Sequence, residues 1–362
     1  MSELKTNKIS TNDGNNVAID NALGLKSYTT TQRDALTSVA GDIIYNSTTT
    51  KAEYYTGSAW QQTGGDGLVP IQYLVVAGGG GSAAGESVTA GGAGGAGGAG
   101  GYRNSYASET SGGNNTTEQP YRINPDGSTT YTVTVGAGGS AASGHDGHGG
   151  FGNNSLFANV ISFAGGGGAG GSSSGGAGGS GGGMGGDGIQ QSESLTPPIS
   201  NGGVGTAGQG FEGGNRTSTG RRGGGGGGAS EAGNTDGTVQ GGDGLASSIT
   251  GSSVTRAGGG GGGTGSNTDT QAAGGAGGGG DGGSRSVAAV NGTANTGGGA
   301  GGSGSGQSAG KTGGSGVVIL RWATADATIG ATRTGLTDGN VQTDGSDSYI
   351  VFTAGTGNIT FS

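Results

Sequence analysis

Two histidines, His145 and His148, stand three residues apart beside Asp146 in a glycine-rich stretch. Imidazole nitrogens and a carboxylate at that spacing could hold a divalent metal. No third firm ligand is visible in the sequence, and the same residues make an ordinary polar turn, so no metal is assigned. The many Gly-x-Gly-x-x-Gly matches lack the strand–turn–helix setting that a dinucleotide site needs. Gly241-Gly-Asp-Gly244 matches only part of a calcium-binding nonapeptide. Carboxylate pairs for glycoside cleavage are defined by a spatial separation of about 5–10 Å, which a sequence does not display. The regular strand repeats of a β-helix depolymerase are absent. These readings point away from an enzyme, and no cofactor is expected.

The elements that must position any chemistry are unusual. Of 362 residues 100 are glycine, and Leu, Ile, Val and Phe together make up under a fifth of the chain. That composition usually belongs to disordered chains. Here only 11% of residues are charged, so self-repulsion does not hold the chain open, and the glycines cluster into runs of similar length. Five prolines and no sustained Gly-X-Y register exclude collagen. The net charge of −9 argues against nucleic acid as a partner, and the absence of cysteine removes disulfides and thiolate metal ligation. The first residues lack the apolar stretch of a secretory signal, so synthesis in the cytoplasm without general export is expected.

Residues 91–101 repeat with period three, two glycines and then an alanine. Neither the 3.6 of an α-helix nor the 2 of a strand fits, whereas polyproline II geometry has three residues per turn. Two edges of such a helix are bare glycine, and its unpaired amides and carbonyls must be satisfied by neighbours. The run therefore reads as one rod in a lattice of packed polyglycine II helices. Its alanine edge predicts a place at the periphery, with the uninterrupted runs 223–228 and 258–263 nearer the centre.

Taken in order, residues 1–63 predict a short β-rich collar. Loose strands fall over 4–9 and 17–25, a short threonine-capped helix begins near Thr30, and a hairpin joins 41–46 to 52–55. Residues 64–70 are a linker, 71–322 the glycine-rich domain, and 323–362 a C-terminal region. Tyr73-Leu-Val-Val-Ala77, Tyr131-Thr-Val-Thr-Val135 and Asn159-Val-Ile-Ser-Phe-Ala164 run straight into glycine, while Gly313-Gly-Ser-Gly316 runs into Val317-Val-Ile-Leu-Arg-Trp322. β-Branched residues favour a pleated surface, so a small β base is expected, from which rods leave and to which the last returns. Near the end, 349–353 and 358–361 read as a β-hairpin about a turn at 355–357. The expected fold is thus irregular and β.

Thr31-Gln-Arg-Asp-Ala-Leu36, Gly41-Asp-Ile-Ile-Tyr-Asn46 and Tyr55-Thr-Gly-Ser-Ala-Trp60 resemble a small module of bacteriophage tail fibres and other virion proteins. Tyr73-Leu-Val-Val-Ala-Gly-Gly-Gly-Gly81, Gly100-Gly-Tyr-Arg-Asn-Ser105 and the segment 313–322 resemble the glycine-rich domain of phage tail fibres, and more distantly the polyglycine II fibre-tip adhesins. The resemblance implies a connector or oligomerising collar, often trimeric, and a glycine-rod sandwich whose loops touch the host. Its implied partners are other virion tail proteins and a host surface polysaccharide, lipopolysaccharide or outer-membrane protein. Its implied location is the virion, assembled in the host cytoplasm.

If rods alternate in direction from Tyr73, one end collects loops 82–90, 140–148, 172–174, 211–222, 245–257 and 284–296. The other collects 102–130, 189–200, 229–240 and 266–273. Arg216, Arg221, Arg222, Arg256 and Arg285 then share the distal end with Phe211, while Glu193, Glu231, Asp236 and Asp269 share the other. Guanidinium forks suit carboxylate and phosphate groups. These six residues are the receptor-binding candidates of a non-catalytic tail fibre or fibre-tip adhesin. A non-adhesive virion fibre or decoration protein, such as a head fibre, and a cellular glycine-rich surface protein are the competing readings.

Overall fold

The computed structural model describes residues 24–63, 67–89, 91–186, 201–216, 221–266 and 270–362, which belong to two compact units, Met1–Gly67 and Leu68–Ser362. The protein is almost all β, and among the described residues no helix is long and apolar enough to cross a membrane.

In the first unit, β1 (Ser27–Tyr28), α1 (Thr30–Asp34), β2 (Ile43–Asn46), β3 (Lys51–Tyr55) and β4 (Trp60–Gln62) follow one another, and the strands pair in chain order. Thr29 caps the helix. Its Oγ1 accepts the Gln32 amide at 3.3 Å, and Gln32 Oε1 accepts the Thr29 amide at 2.9 Å, which satisfies two donors that a helix start leaves open. The expected hairpin is β2–β3, with Ile43 opposite Tyr54. Its interior is partly polar: buried Asn46 donates to Glu53 at 3.1 Å, and Arg33 Nη1 donates to the same carboxylate at 3.0 Å. The expected strand over 4–9 and most of that over 17–25 lie outside the described residues.

The second unit contributes β5 (Val69–Val76), β6 (Tyr102–Asn104), β7 (Tyr121–Ile123), β8 (Tyr131–Val135), β9 (Ser155–Phe157) and β10 (Val160–Ser162). It continues with β11 (Leu245–Ser247), β12 (Val254–Arg256), β13 (Val317–Ala323), β14 (Leu336–Asp338), β15 (Gln342–Asp344) and β16 (Asp347–Ile359). The main sheet runs β10-β9-β8-β16-β13-β5-β6, with β14 and β15 against β16 and β7 against β5. It is nearly closed into a barrel. The Gly101 amide bonds to Phe163 O at 2.8 Å and Arg103 Nη1 to Ile161 O at 3.3 Å, so the two ends of that path meet.

Alternation sends Tyr73, Val75, Val133, Phe157, Val318, Leu320, Ile350 and Phe352 into one core with Trp322 and Phe361. Each large apolar side chain so buried contributes about 1.5–3 kcal/mol. The continuous apolar runs of β5 and β13 have a separate cause. Their other face, Leu74, Val76, Val317 and Ile319, packs with Tyr102, Ile249 and Ala257 in a second cluster.

The C-terminal hairpin is not formed. Strand β16 runs unbroken through 355–357, pairing with β13 in its first half and β8 in its second. The glycines serve close approach instead of a turn: a Cβ on Gly355 would lie 2.0 Å from Gly335 O, and one on Gly357 2.3 Å from Thr334 O.

Between the strands, the glycine-rich segments bond to one another through the backbone. Over 91–101 the amides cycle by three. Ala93, Ala96 and Ala99 donate to Arg221, Gly224 and Gly227 at 3.0–3.1 Å, and Gly94, Gly97 and Gly100 to Ser303, Ala300 and Gly297 at 2.8 Å. Gly95, Gly98 and Gly101 donate to Ala169, Gly166 and Phe163 at 2.8–2.9 Å. The carbonyls of Gly98, Ala96 and Gly97 accept from three further segments, at Gly80, Gly183 and Gly260. Among the described residues this segment therefore has six neighbouring segments and is interior, contrary to the peripheral place that its alanines predict. Ala93, Ala96 and Ala99 are 1%, 0% and 0% exposed. A Cβ at Gly97 would stand 2.0 Å from Gly80 O and one at Gly95 2.2 Å from Gly183 O, so only the third edge has room for a methyl.

Candidate functional site

The glycine-rich segments run between the sheet and an opposite, distal end. Distal turns are tied to one another by short bonds. Gly306 N donates to Glu86 O at 2.8 Å, Gly85 N to Gln307 O at 2.9 Å, and Gln307 Nε2 to Ser284 O at 2.7 Å. Ser305 N donates to Thr264 O at 3.2 Å, and the Arg221 carbonyl receives the Ala93 amide. Arg216 Nη1 reaches Ser172 Oγ at 3.4 Å.

Arg216, Arg221, Arg222 and Arg285 therefore share the distal end. Arg221 has φ +51°, a left-handed conformation uncommon for a side-chain-bearing residue and frequent at functional sites. Val88 and Val287 are exposed among the same turns.

The other two candidates are elsewhere. Arg256 ends β12 at the sheet, 9% exposed, with Nη1 directed to Val254 O at 3.4 Å. Burial lowers its pKa, and the nearby Tyr102 offsets part of that. The physical reason is an uncounted excursion: the chain leaves the sheet end after Ala229, reverses, and returns by Asp243 to β11. Asn234 Oδ1 accepts the Gly225 amide at 3.0 Å on the way out, and Asp243 O accepts the Ser230 amide at 2.9 Å on the way back. Phe211 sits near the sheet end of the segment 210–216, its amide bonded to Gly228 O at 3.0 Å. The run 297–316 also hides a turn, at 305–306. The first reversal falls at 233–239 and the second at Ser305-Gly306, mostly small polar and glycine residues of the same kind as those in the loops at either end.

Of the acidic residues assigned to the opposite end, Glu193 and Asp269 lie outside the described residues. Glu231 follows the sheet-end turn, and its carboxylate lies with those of Asp236 and Asp243 within 4.8 Å of one another. Burial, joined by the two neighbouring charges, raises the Glu231 pKa. Two of these groups are already engaged by backbone, Asp243 Oδ1 by the Ala276 amide at 2.6 Å and Glu231 Oε1 by the Asp243 amide at 3.2 Å. The histidines are likewise engaged by backbone. His145 Nδ1 lies 2.9 Å from Gly85 O, which makes it the protonated nitrogen, and His148 Nδ1 accepts the Gly170 amide at 3.3 Å.

One feature is not visible in the sequence. Phe151, Phe163 and Val204, from three separate segments, converge with Asn154, Ala164, Ala177 and Thr206 on an open groove of about 450 Å³. Nothing in their spacing signals the meeting, because the segments that carry them are far apart in the chain and are joined by bonds to backbone, as from Ala164 N to Asn154 Oδ1 and from Thr206 Oγ1 to Gly178 O.

The glycine-rich domain family model matches residues 49–323, well over half the chain. No curated protein matches it significantly.

Proposed function

The chain belongs to the glycine-rich domain family, and from that premise we propose that it is a virion structural protein, a tail fibre or fibre-tip adhesin that binds a host cell surface without catalysis. The observation that carries this reading is the gathering of Arg216, Arg221, Arg222 and Arg285 at one end of a backbone-bonded framework. The cycle of three in residues 91–101 supports assigning the segments to a lattice of polyglycine II helices, since that helix has three residues per turn. Such a framework holds loops apart at fixed separations, which suits recognition of a repeating surface. Guanidinium forks match carboxylates and phosphates, so the partner is an anionic surface polysaccharide or lipopolysaccharide. The protein acts in the virion, as a homotrimer assembled in the host cytoplasm.

Adsorption of the purified protein to host cells tests the reading, with Arg221→Ala/Arg222→Ala as comparison. A loss of about tenfold or more in apparent affinity is expected, growing smaller at high salt. Adsorption that is equal for the two proteins would remove the arginine end from the account. No adsorption by the unmodified protein would favour a non-adhesive virion fibre or decoration protein.

A further inference from the structure

Three of the six phenylalanines, Phe157, Phe352 and Phe361, are fully buried in the sheet core. Phe151 and Phe163 are 58% and 44% exposed and line the same groove as Val204, which is 68% exposed. Single exposed apolar residues need no explanation, but a contiguous set marks an interaction site. The groove volume falls in the range of ligand sites, about 300–1,000 Å³.

The Phe151 ring is backed by the framework, and the backbone that carries Phe163 is anchored. Phe151 lies against bare backbone, where a Cβ on Gly176 would be 2.9 Å from the ring atoms Cε1 and Cζ. The Phe163 amide is held by Gln209 Oε1 at 2.8 Å. Polar groups stand beside the rings. Asn154 Oδ1 accepts the Ala164 amide at 2.8 Å, a bond that does not use the Nδ2 hydrogens. Thr206 Oγ1 donates to Gly178 O at 2.8 Å, which leaves its oxygen able to accept. Among the described residues, no titratable one lines the groove.

From this lining we infer that the groove binds a neutral pyranose unit of a surface glycan. A pyranose has one face of C–H groups, which carry slight positive charge and suit the negative face of an aromatic ring. Its edge carries hydroxyls, which suit an oriented amide and a hydroxyl acceptor. An ionic ligand finds no counter-charge among the described lining residues, and a purely aliphatic one leaves the amide and hydroxyl unused. The site is distinct from the arginine end and stands whether or not that end binds.

The test uses the full chain against an array of neutral di- to tetrasaccharides of hexose and N-acetylhexosamine, with hits measured by saturation-transfer NMR. At least one neutral saccharide is expected to bind, with affinity lowered about tenfold or more by Phe151→Ala and by Phe163→Ala. Arg221→Ala/Arg222→Ala is expected to leave that affinity unchanged. Unaltered thermal unfolding of the two phenylalanine variants confirms that they fold. If a phenylalanine variant misfolds, Thr206→Val, which removes the acceptor, is read instead. The proposal is overturned if no neutral saccharide binds at millimolar concentration. It is also overturned if the loss follows the arginine variant instead of the groove variants. A change of sedimentation mass in the phenylalanine variants, without saccharide binding by the parent, would make the groove a contact between copies and overturn it too.

Discussion

Ala96 donates its amide to the carbonyl of Gly224 at 3.1 Å, while a Cβ on Gly224 would stand 1.9 Å from Gly214 O. One partner carries a methyl into the interior, and the other has no room for one. The packing is therefore asymmetric around each segment, and which edge is substituted matters more than how many residues are.

Gly224→Ala is expected to cost about 3 kcal/mol or more, because the atom it meets is backbone and cannot rotate away. Ala93→Ser, on the edge that admits a side chain, is expected to cost about 1–2 kcal/mol for burying a hydroxyl. Guanidinium unfolding of the full chain compares them, and equal losses would contradict the asymmetry.

Arg256 and Arg221 separate stability from binding. Arg256 is buried at the sheet and Arg221 stands at the distal turns. Arg256→Ala should lower the unfolding midpoint and leave adsorption per folded molecule intact. Arg221→Ala should do the reverse. Calorimetry and cell adsorption on the same two preparations decide it.

Glu118 anchors the closure of the sheet. It accepts from Arg103 Nε at 3.0 Å, from Tyr73 Oη at 2.8 Å and from Ser111 Oγ at 3.1 Å. Glu118→Ala leaves a half-buried guanidinium without its carboxylate, retaining the bond to Ile161 O, and a buried phenol without its acceptor, at a cost of about 2–3 kcal/mol. Replacing Arg103 as well should recover part of that loss in a double-mutant cycle. No recovery would mean that the pair is not coupled.

Asp126 gives a pH dependence whose sign is set by its partners. Amides of Thr129 and Ser128 and the Thr129 hydroxyl donate to it. Led by the Thr129 amide, they hold its pKa near 2, below the usual 3.8. A depressed folded-state value means stability that is present above the unfolded pKa and lost as pH falls through the folded one. The loss is thus expected between about pH 4 and pH 2. Asp126→Asn should flatten the fall of the melting temperature in that window, and an unchanged slope would assign the acid sensitivity elsewhere.

Local chemistry was legible where side chains carry it. A threonine caps a helix that begins at Thr30, the segments 41–46 and 52–55 pair as β2 and β3, and the apolar runs at Tyr73 and Val317 are adjacent strands. The period of three over 91–101 corresponds to three amide directions toward three acceptor segments. In each case a side chain or a repeat limits the backbone to one conformation.

The tertiary structure decided what glycine leaves open. A glycine accepts a turn, a straight segment or a close approach with equal ease. Hence Gly355 in β16 reads as a turn and is a close approach, while Gly306 reads as part of a run and is a turn with φ +85°. Each missed reversal changes which loops share an end, and so Arg256 went to the sheet while Arg221 stayed distal. The convergence of Phe151, Phe163 and Val204 was settled by the same packing, together with side-chain bonds from Asn154, Thr206 and Gln209 to backbone of other segments. The sequence by itself determined that strands feed glycine segments and that one segment repeats by three. Only the packing of backbone on backbone decided which segment is innermost and which side chains meet.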